Sequence, residues 1–151
     1  DRDNVKREIK RRLRFIDYAV VHFVSAKKGV GVQKLLNSVD QAYRSSIATF
    51  PTSKLTFILE GAIEEHQPPL VNGRRIKLRF AHSGGHNPPV IVIHGNQTKA
   101  VPQHYTKYLE GVFRRELGLH ATPIKIQYKS PVNPIENKTS KTVPKKKTRS
   151  S

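Results

Sequence analysis

The sequence predicts an α+β fold, and three short runs in its second half carry the prediction. Residues 76–80 alternate between apolar and basic side chains, which is the period of a half-buried strand. Residues 90–93 are continuously apolar and β-branched, as expected of a strand with a neighbour on each edge. Residues 124–128 alternate again after a helical stretch. The predicted order is therefore helix, strand, strand, helix, strand, with both helices on one face of a three-stranded sheet.

The ends of these elements carry their own signals. Thr52 or Ser53 can cap the first helix of this half, whereas Gly118 is well placed to end the second. The pair Asn72-Gly73 predicts a tight turn before the first strand. If both helices pack on one sheet face, they bury the apolar side of the strands, namely Ile76, Leu78, Phe80, Ile124, Ile126 and Tyr128.

The opposite face of the sheet is predicted to be basic and largely open. It gathers Lys77, Arg79, Lys125 and Lys129, which are candidate RNA-binding residues. The whole chain has a formal net charge of +17, so a polyanion is its natural partner, because neutralising phosphates releases counterions. The alternative is that the charge serves solubility alone.

The first third of the chain predicts a different kind of structure. Residues 1–16 form an amphipathic helix that Asp3 or Asn4 can cap, and the apolar run 19–24 is predicted to be a buried strand. A second amphipathic helix begins near Val32. The order helix, strand, helix is typical of an open α/β sheet, but a single strand cannot form a sheet. We expect residues 1–48 to be the last part of an α/β domain whose remainder is absent, with exposed apolar faces.

A resemblance becomes specific at the loop between that strand and helix. The segment SAKKGVGVQKLL resembles the fifth guanine-recognition motif of small GTPases of the translation-factor class. The resemblance implies that Ala26 reads the guanine through its backbone N–H, that Ser25 supports the loop, and that the stem of Lys27 lies along the base. The chain contains no G-x-x-x-x-G-K-[ST] and no Asn-Lys-x-Asp motif. By itself it should therefore neither hold nor hydrolyse GTP.

The second half carries a closer resemblance. The segments PPLVNGRRIKLRFA, NPP and YTKYLEGVFRRELGLHATPIKIQY resemble the KH-like C-terminal domain of the bacterial double-GTPase family EngA, also called Der. This implies a GTPase-domain remnant over residues 1–48, a KH-like domain over 49–132 and a basic tail over 133–151. The resemblance also implies a parent GTPase that binds GTP or GDP with Mg²⁺ and acts in assembly of the large ribosomal subunit. No cofactor is expected for this fragment alone. The implied partners are ribosomal RNA, the 50S subunit and the protein's own GTPase domains.

One departure from RNA-binding KH domains affects how RNA would be held. Such domains clamp the nucleic-acid backbone with a G-x-x-G loop, but no two glycines here are three residues apart. RNA contact would then use the open sheet face and the tail, whose cations include Lys145, Lys146 and Lys147. Almost without apolar residues, the tail is expected to be disordered when free.

Catalytic and metal sites are not expected within the chain. His82 and His86 are four apart, but the glycines between them and the following Pro pair predict a loop, and no Cys or nearby carboxylate completes a site. No run approaches the roughly 20 apolar residues of a membrane span, and no signal-peptide pattern opens the chain. Together with the absence of Cys, this predicts a cytoplasmic protein.

Three hypotheses about function stay open. The first is the C-terminal portion of a ribosome-assembly GTPase. The second is a stand-alone basic RNA-binding protein, with residues 1–48 as an extension. The third is a module whose sheet face docks another protein, while the tail supplies only charge.

Overall fold

The computed structural model describes residues 1–131, which form four α-helices, a short hairpin and a three-stranded sheet. The elements are α1 (Arg2–Arg12), α2 (Val32–Ser46), α3 (Thr52–Glu65), β1 (Leu70–Val71), β2 (Arg74–Arg75), β3 (Lys77–Gly85), β4 (Val90–Asn96), α4 (Gln103–Glu116) and β5 (Lys125–Lys129), with 3₁₀ turns at Arg14–Ile16 and Thr98–Ala100. We call residues 1–48 the N-terminal segment and residues 49–131 the sheet module.

The sheet module has the predicted α+β architecture. Its strand order is β3-β4-β5, with β4 antiparallel to β3 and parallel to β5. A parallel pair needs a crossover connection, and α4 supplies it. Both α3 and α4 pack on the same face of the sheet, which confirms the predicted order and layering.

The hydrophobic core lies between these helices and the inner face of the sheet. Its six largest side chains with almost no solvent exposure come from α3, α4 and β4, namely Leu55, Leu59, Leu109, Phe113, Ile91 and Ile93. Two tyrosines of α4 bring hydroxyls to its edge. Tyr105 donates to the carbonyl of His66 at 2.6 Å and Tyr108 to that of Ala62 at 2.8 Å, so α4 supplies donors to two carbonyls at the end of α3.

Two predicted turns are confirmed. Gly118 ends α4 in the left-handed region, with its N–H bonded to Arg115 O and the N–H of Leu119 bonded to Arg114 O. This is the Schellman arrangement. Asn72 and Gly73 both take positive φ and join β1 to β2.

Both predicted helix caps are wrong. Asp1 caps α1, its carboxylate accepting the N–H of Asp3 at 3.2 Å, so the helix begins before the predicted Asp3 or Asn4. In α3 the cap position is Pro51, without a side-chain hydrogen bond, and Thr52 is already helical. Proline fixes φ near the value that a helix entry needs, which explains the shift.

The predicted strand at residues 19–24 is also wrong. This run lies extended without a strand partner, and Val20 and Val24 are 44% and 48% exposed. The only pairing nearby is an isolated bridge between Ser25 and Val30. A strand needs neighbours for its backbone N–H and C=O groups, and residues 1–131 supply none here. The exposure of apolar faces in the N-terminal segment follows the expectation for residues 1–48.

The predicted HSGGH loop is strand instead. β3 runs to Gly85, so His82 and Ser83 pair with β4, and only residues 86–89 form the connection. The small residue Gly84 permits this pairing, because a Cβ there would lie 2.4 Å from a methyl of Val92.

Polar contacts join α2 to the sheet module. The hydroxyl of Ser38 lies 2.8 Å from Nε2 of His120, and the hydroxyl of Ser45 accepts the N–H of His120 at 2.9 Å. The N–H of Asn87 donates to the carbonyl of Ser46 at 2.6 Å. These hydrogen bonds, together with the Arg114–Asp17 ion pair at 3.5 Å, hold the N-terminal segment against the module.

Candidate nucleic-acid interface

The candidate interface is the sheet face opposite α3 and α4, which we call the open face. Ile91, Ile93, Ile126 and Tyr128 point toward the core, so the residues between them in β4 and β5 point outward. The open face is formed by Phe80 and His82 of β3, His94 of β4, and Lys125, Gln127 and Lys129 of β5, around the buried Val92 of β4.

A β-bulge determines which residues of β3 reach this face. Leu78 pairs with Gly95 and Phe80 pairs with His94, which leaves Arg79 without a partner. The extra residue turns Phe80 outward, where it is 41% exposed, while Leu78 packs against the core. The prediction that Phe80 faces the core is therefore wrong, because alternation cannot continue through a bulge.

Two neighbours fix the chain around the bulge. The hydroxyl of Thr56 on α3 bonds both the N–H and the carbonyl of Ala81 at 3.2 Å, which holds β3 against α3 just after the extra residue. Across the ladder, Gly95 allows a close approach of the backbones, since a Cβ there would lie 2.1 Å from the carbonyl oxygen of Lys77.

Three rings lie side by side on the open face, and we call them the ring row: Phe80, His94 and His82. Phe80 and His94 are stacked, with centroids 4.4 Å apart and planes 7° apart. The Nε2 atoms of His82 and His94 lie 2.9 Å apart, so one imidazole donates to the other. Cross-strand pairs of this kind stabilise a sheet, and here they also leave aromatic surface partly exposed.

The ring row has Lys129 beside it, and the surroundings of His94 disfavour a positive charge on its ring. Partial burial, together with the neighbouring His82 and Lys129, lowers the pKa of His94 below its ordinary value. In the register of the sheet, His94 lies beside Lys129, and Val90 lies beside Lys125. The fixed positive charge of this face therefore comes from the lysines of β5.

The structure separates the predicted RNA-binding residues into three groups. Lys125 and Lys129 lie exposed on the open face, as predicted. Lys77 precedes the bulge, Arg79 is its extra residue, and both line a cleft of about 380 Å³ that also contains Gln67 and Pro68 after α3. The tail residues Lys145, Lys146 and Lys147 lie outside the described residues. Binding of RNA by any of them stays a prediction.

The predicted guanine loop forms a tight, exposed turn. Ser25 N–H bonds the carbonyl of Val30 at 2.9 Å, and its hydroxyl lies 3.4 Å from the N–H of Lys28. The Ser25 side chain thus lies against the loop backbone. Ala26 and Lys27 are exposed in the turn. Their contact with a guanine base is untested and stays a prediction.

The histidine pair that the structure brings together differs from the pair that the sequence spacing suggested. His82 meets His94 on the next strand, whereas His86 lies in the exposed β3–β4 connection. Residues 1–131 contain no group of three or more His, Cys, Asp and Glu side chains placed to hold a metal ion. In the same part of the chain, no helix is long and apolar enough to cross a membrane.

Sequence reasoning missed the ring row because its members lie 2 to 14 positions apart along the chain. The available signal was the β-strand spacing of Phe80 and His82, with His94 at the end of the next apolar run. Bringing these three together requires the register of the hairpin, which the bulge sets.

Comparison with known proteins gives one family and many relatives. The family model described as KH-domain-like of EngA bacterial GTPase enzymes, C-terminal, matches residues 49–129. A GTPase Der from Cellvibrio japonicus is 59% identical over 132 residues, covering 87% of this chain and 28% of the relative. One from Azotobacter vinelandii is 61% identical over 137 residues, covering 91% and 28%. The chain therefore spans less than a third of the length of the relatives that it matches.

Proposed function

Because the chain belongs to the family of KH-domain-like C-terminal domains of EngA bacterial GTPases, we propose that it is the C-terminal portion of a GTP-binding enzyme of large ribosomal subunit assembly. The relatives named GTPase Der, about 60% identical over most of this chain, support a GTPase as the longer protein. Hydrolysis of GTP with Mg²⁺ would belong to that protein, since residues 1–151 contain no phosphate-cradling G-x-x-x-x-G-K-[ST] loop. Within this chain, Ala26 and Lys27 would contact the guanine base, and Ser25 would support their loop.

The role proposed for the sheet module is contact with ribosomal RNA in the cytoplasm. The observation that supports it is the open face, where Lys125 and Lys129 stand beside an exposed aromatic surface and no carboxylate interrupts them. A chain of net charge +17 gains affinity for a polyanion through counterion release. A sheet with exposed aromatic and basic residues is also a known way to hold single-stranded RNA.

Charge reversal on the open face tests this proposal. The double variant Lys125→Glu/Lys129→Glu should bind a single-stranded ribosomal RNA fragment more weakly, as measured by fluorescence anisotropy between about 50 and 200 mM salt. If both lysines contact phosphates, the slope of log K against log salt should become shallower by about 1.4.

The matched control places the same charges elsewhere. Lys34→Glu/Lys107→Glu changes two exposed lysines on α2 and α4, so it alters net charge equally without touching the open face. A chain ending at residue 131 removes the contribution of the basic tail from both variants. Equal losses for the two double variants would show that only net charge matters, and the open-face proposal would fail.

Docking of the protein's own GTPase domains is the second candidate for the same face. The exposed ring of Phe80 favours it, because an exposed aromatic side chain is a common anchor in protein interfaces. The variant Lys125→Glu/Lys129→Glu distinguishes the two candidates. Loss of RNA binding at low salt supports RNA contact. Loss of binding to the GTPase domains, with RNA affinity retained, supports docking of those domains.

Coupling between nucleotide and RNA can be tested in the longer protein. If GTP hydrolysis changes how the GTPase domains pack on the open face, RNA affinity should differ between GTP-analogue and GDP states. Equal affinities in the two states would rule out this switch.

A further inference from the structure

The ring row has a feature that its role in sheet packing does not explain. Packing between the strands is served by the contact of Phe80 with His94. The side chain of Phe80 nevertheless remains 41% exposed to solvent, and the packing gives no reason for this exposure. The bulge at Arg79 places it there, although the alternation of residues 76–80 would have sent it to the core. In its place the core receives the much smaller Ala81, which is fully buried.

We propose that the ring row is a stacking platform for an unpaired nucleobase of the RNA, with the stacked Phe80–His94 pair as its centre. This inference rests on the proposed RNA contact of the open face and specifies what that contact recognises. His94 covers one face of the Phe80 ring at 4.4 Å, so a base would continue the stack from the exposed part of the ring.

The surroundings of the ring row fit a nucleotide rather than an apolar ligand. Lys125 and Lys129 lie on the β5 side, while Lys77 and Arg79 lie at the β3 edge. With strands spaced about 4.8 Å apart, the two basic edges lie about 10 Å from each other across the row. Phosphates on either side of a stacked base would therefore find cations in both directions along the strand.

We specify an unpaired base because in a duplex the faces of each base are covered by the neighbouring base pairs. Aromatic side chains hold single-stranded RNA by stacking on splayed bases, whereas double-stranded RNA is held mainly through its backbone. Every base has such a face, so the platform selects single strands with little preference for sequence. It also differs from a backbone clamp, which needs a G-x-x-G loop that this chain lacks.

The hydrogen bond between the histidines supports this role. With Nε2 of His94 2.9 Å from Nε2 of His82, the His94 ring is held in one orientation against Phe80. A preorganised ring pair loses less conformational entropy when a base stacks on it.

The test compares a stacking variant with a matched control in the full chain. Phe80→Leu keeps an apolar side chain but removes the aromatic face. Phe57→Leu makes the same change at a 76% exposed position of α3, on the helix side of the sheet module. The probes are an oligoadenylate carrying one 2-aminopurine and an RNA duplex of the same length, both measured by fluorescence at fixed salt.

For single strands, Phe80→Leu should lower the affinity by about 5- to 100-fold, the range typical of one lost base stack, with the salt slope unchanged. The affinity of Phe80→Leu for the duplex should equal that of the wild type. Phe80→Tyr keeps an aromatic face and should bind single strands like the wild type. Phe57→Leu should also bind like the wild type. Binding of the wild type should quench the 2-aminopurine, and Phe80→Leu should abolish the quenching.

Several results would overturn the proposal, and they are distinguishable from failure of the RNA proposal itself. If the wild type binds RNA through Lys125 and Lys129 but Phe80→Leu binds single strands equally well, only the stacking platform fails. Equal loss for single strands and duplex would also overturn it, since it would indicate a distorted sheet. If the open-face lysines make no contribution to RNA binding at all, both proposals fail together. Loss of docking to the GTPase domains, with RNA affinity unchanged, would assign Phe80 to a protein interface instead.

Discussion

Helices α2 and α4 carry similar apolar patterns but have opposite burial. α4 buries Leu109 and Phe113 completely, whereas in α2 Leu36 is 53% exposed and Val39 is 56% exposed. The contrast extends to the two regions that contain them. Among residues 1–131, fifteen large apolar side chains are exposed; twelve lie in the N-terminal segment and three in the sheet module.

The difference shows that an amphipathic pattern predicts a helix but not its burial. α4 packs on a sheet and on α3, and these supply the apolar surface that its face needs. Among residues 1–131, the N-terminal segment has no sheet of its own, so its only fully buried residue is the polar Ser38. Large exposed apolar faces are typical of interaction surfaces, and the proposed GTPase domain would cover this one.

The largest expected effect compares one substitution in the two helices. Leu109→Ala should lower the free energy of unfolding of the sheet module by about 2–5 kcal/mol, because it leaves a cavity in the core. Leu36→Ala should change stability by no more than about 0.5 kcal/mol, because its side chain is half exposed. Urea unfolding of the two variants measures both values, and similar losses would contradict the contrast between the helices.

A pair of glycine substitutions sharpens the description of the sheet module. Gly95→Ala should cost about 1–3 kcal/mol, because its Cβ would press on the backbone of β3. Gly111→Ala should instead stabilise by about 0.5–1 kcal/mol, since it adds a helix-favouring residue on α4 with open space around the new methyl. Thermal unfolding distinguishes the signs. A Gly95→Ala variant as stable as the wild type would show that the bulge region is not closely packed.

The contacts that join the two regions should have a smaller effect. Ser45→Ala removes the acceptor for the N–H of His120 and should cost about 0.5–1.5 kcal/mol of the docking between α2 and the sheet module. Hydrogen exchange of α2 amides would measure this as faster opening, while β4 amides keep their rates. Unchanged α2 exchange would mean that other contacts hold the segment in place.

How much of this structure the sequence predicts depends on whether an element is specified locally. The Schellman end at Gly118 and the Asn72-Gly73 turn were predictable because a few adjacent residues determine them. The strand at residues 19–24 was not, because a strand exists only with partners, and apolar composition does not reveal whether they are present.

The candidate site was predictable in part for the same reason. The lysines of β5 follow from alternation within one strand, and the structure places them on the open face. Phe80 depends on a bulge that is fixed from outside its strand, by Thr56 on α3 and by Gly95 across the ladder. The His82–His94 contact then depends on the register that the bulge creates.

The smallest expected effect is a pH dependence that belongs to the sheet module. Since the folded state lowers the pKa of His94, it favours the neutral ring, and this contribution to stability is present above the ordinary histidine range. It should be lost as the pH falls through that range. His94→Gln should flatten this part of the curve of urea midpoint against pH, whereas His104→Gln, at an exposed position on α4, should leave it unchanged. Identical curves for wild type and His94→Gln would contradict the argument.

Hydrogen exchange of the full chain tests most directly whether the two regions differ as described. The sheet module buries its own core, so amides of β4 and α4 should exchange only through global unfolding. Amides of α1 and of residues 19–24 should exchange close to unprotected rates, because no core covers them. Equal protection of the two regions in the isolated monomer would contradict the account.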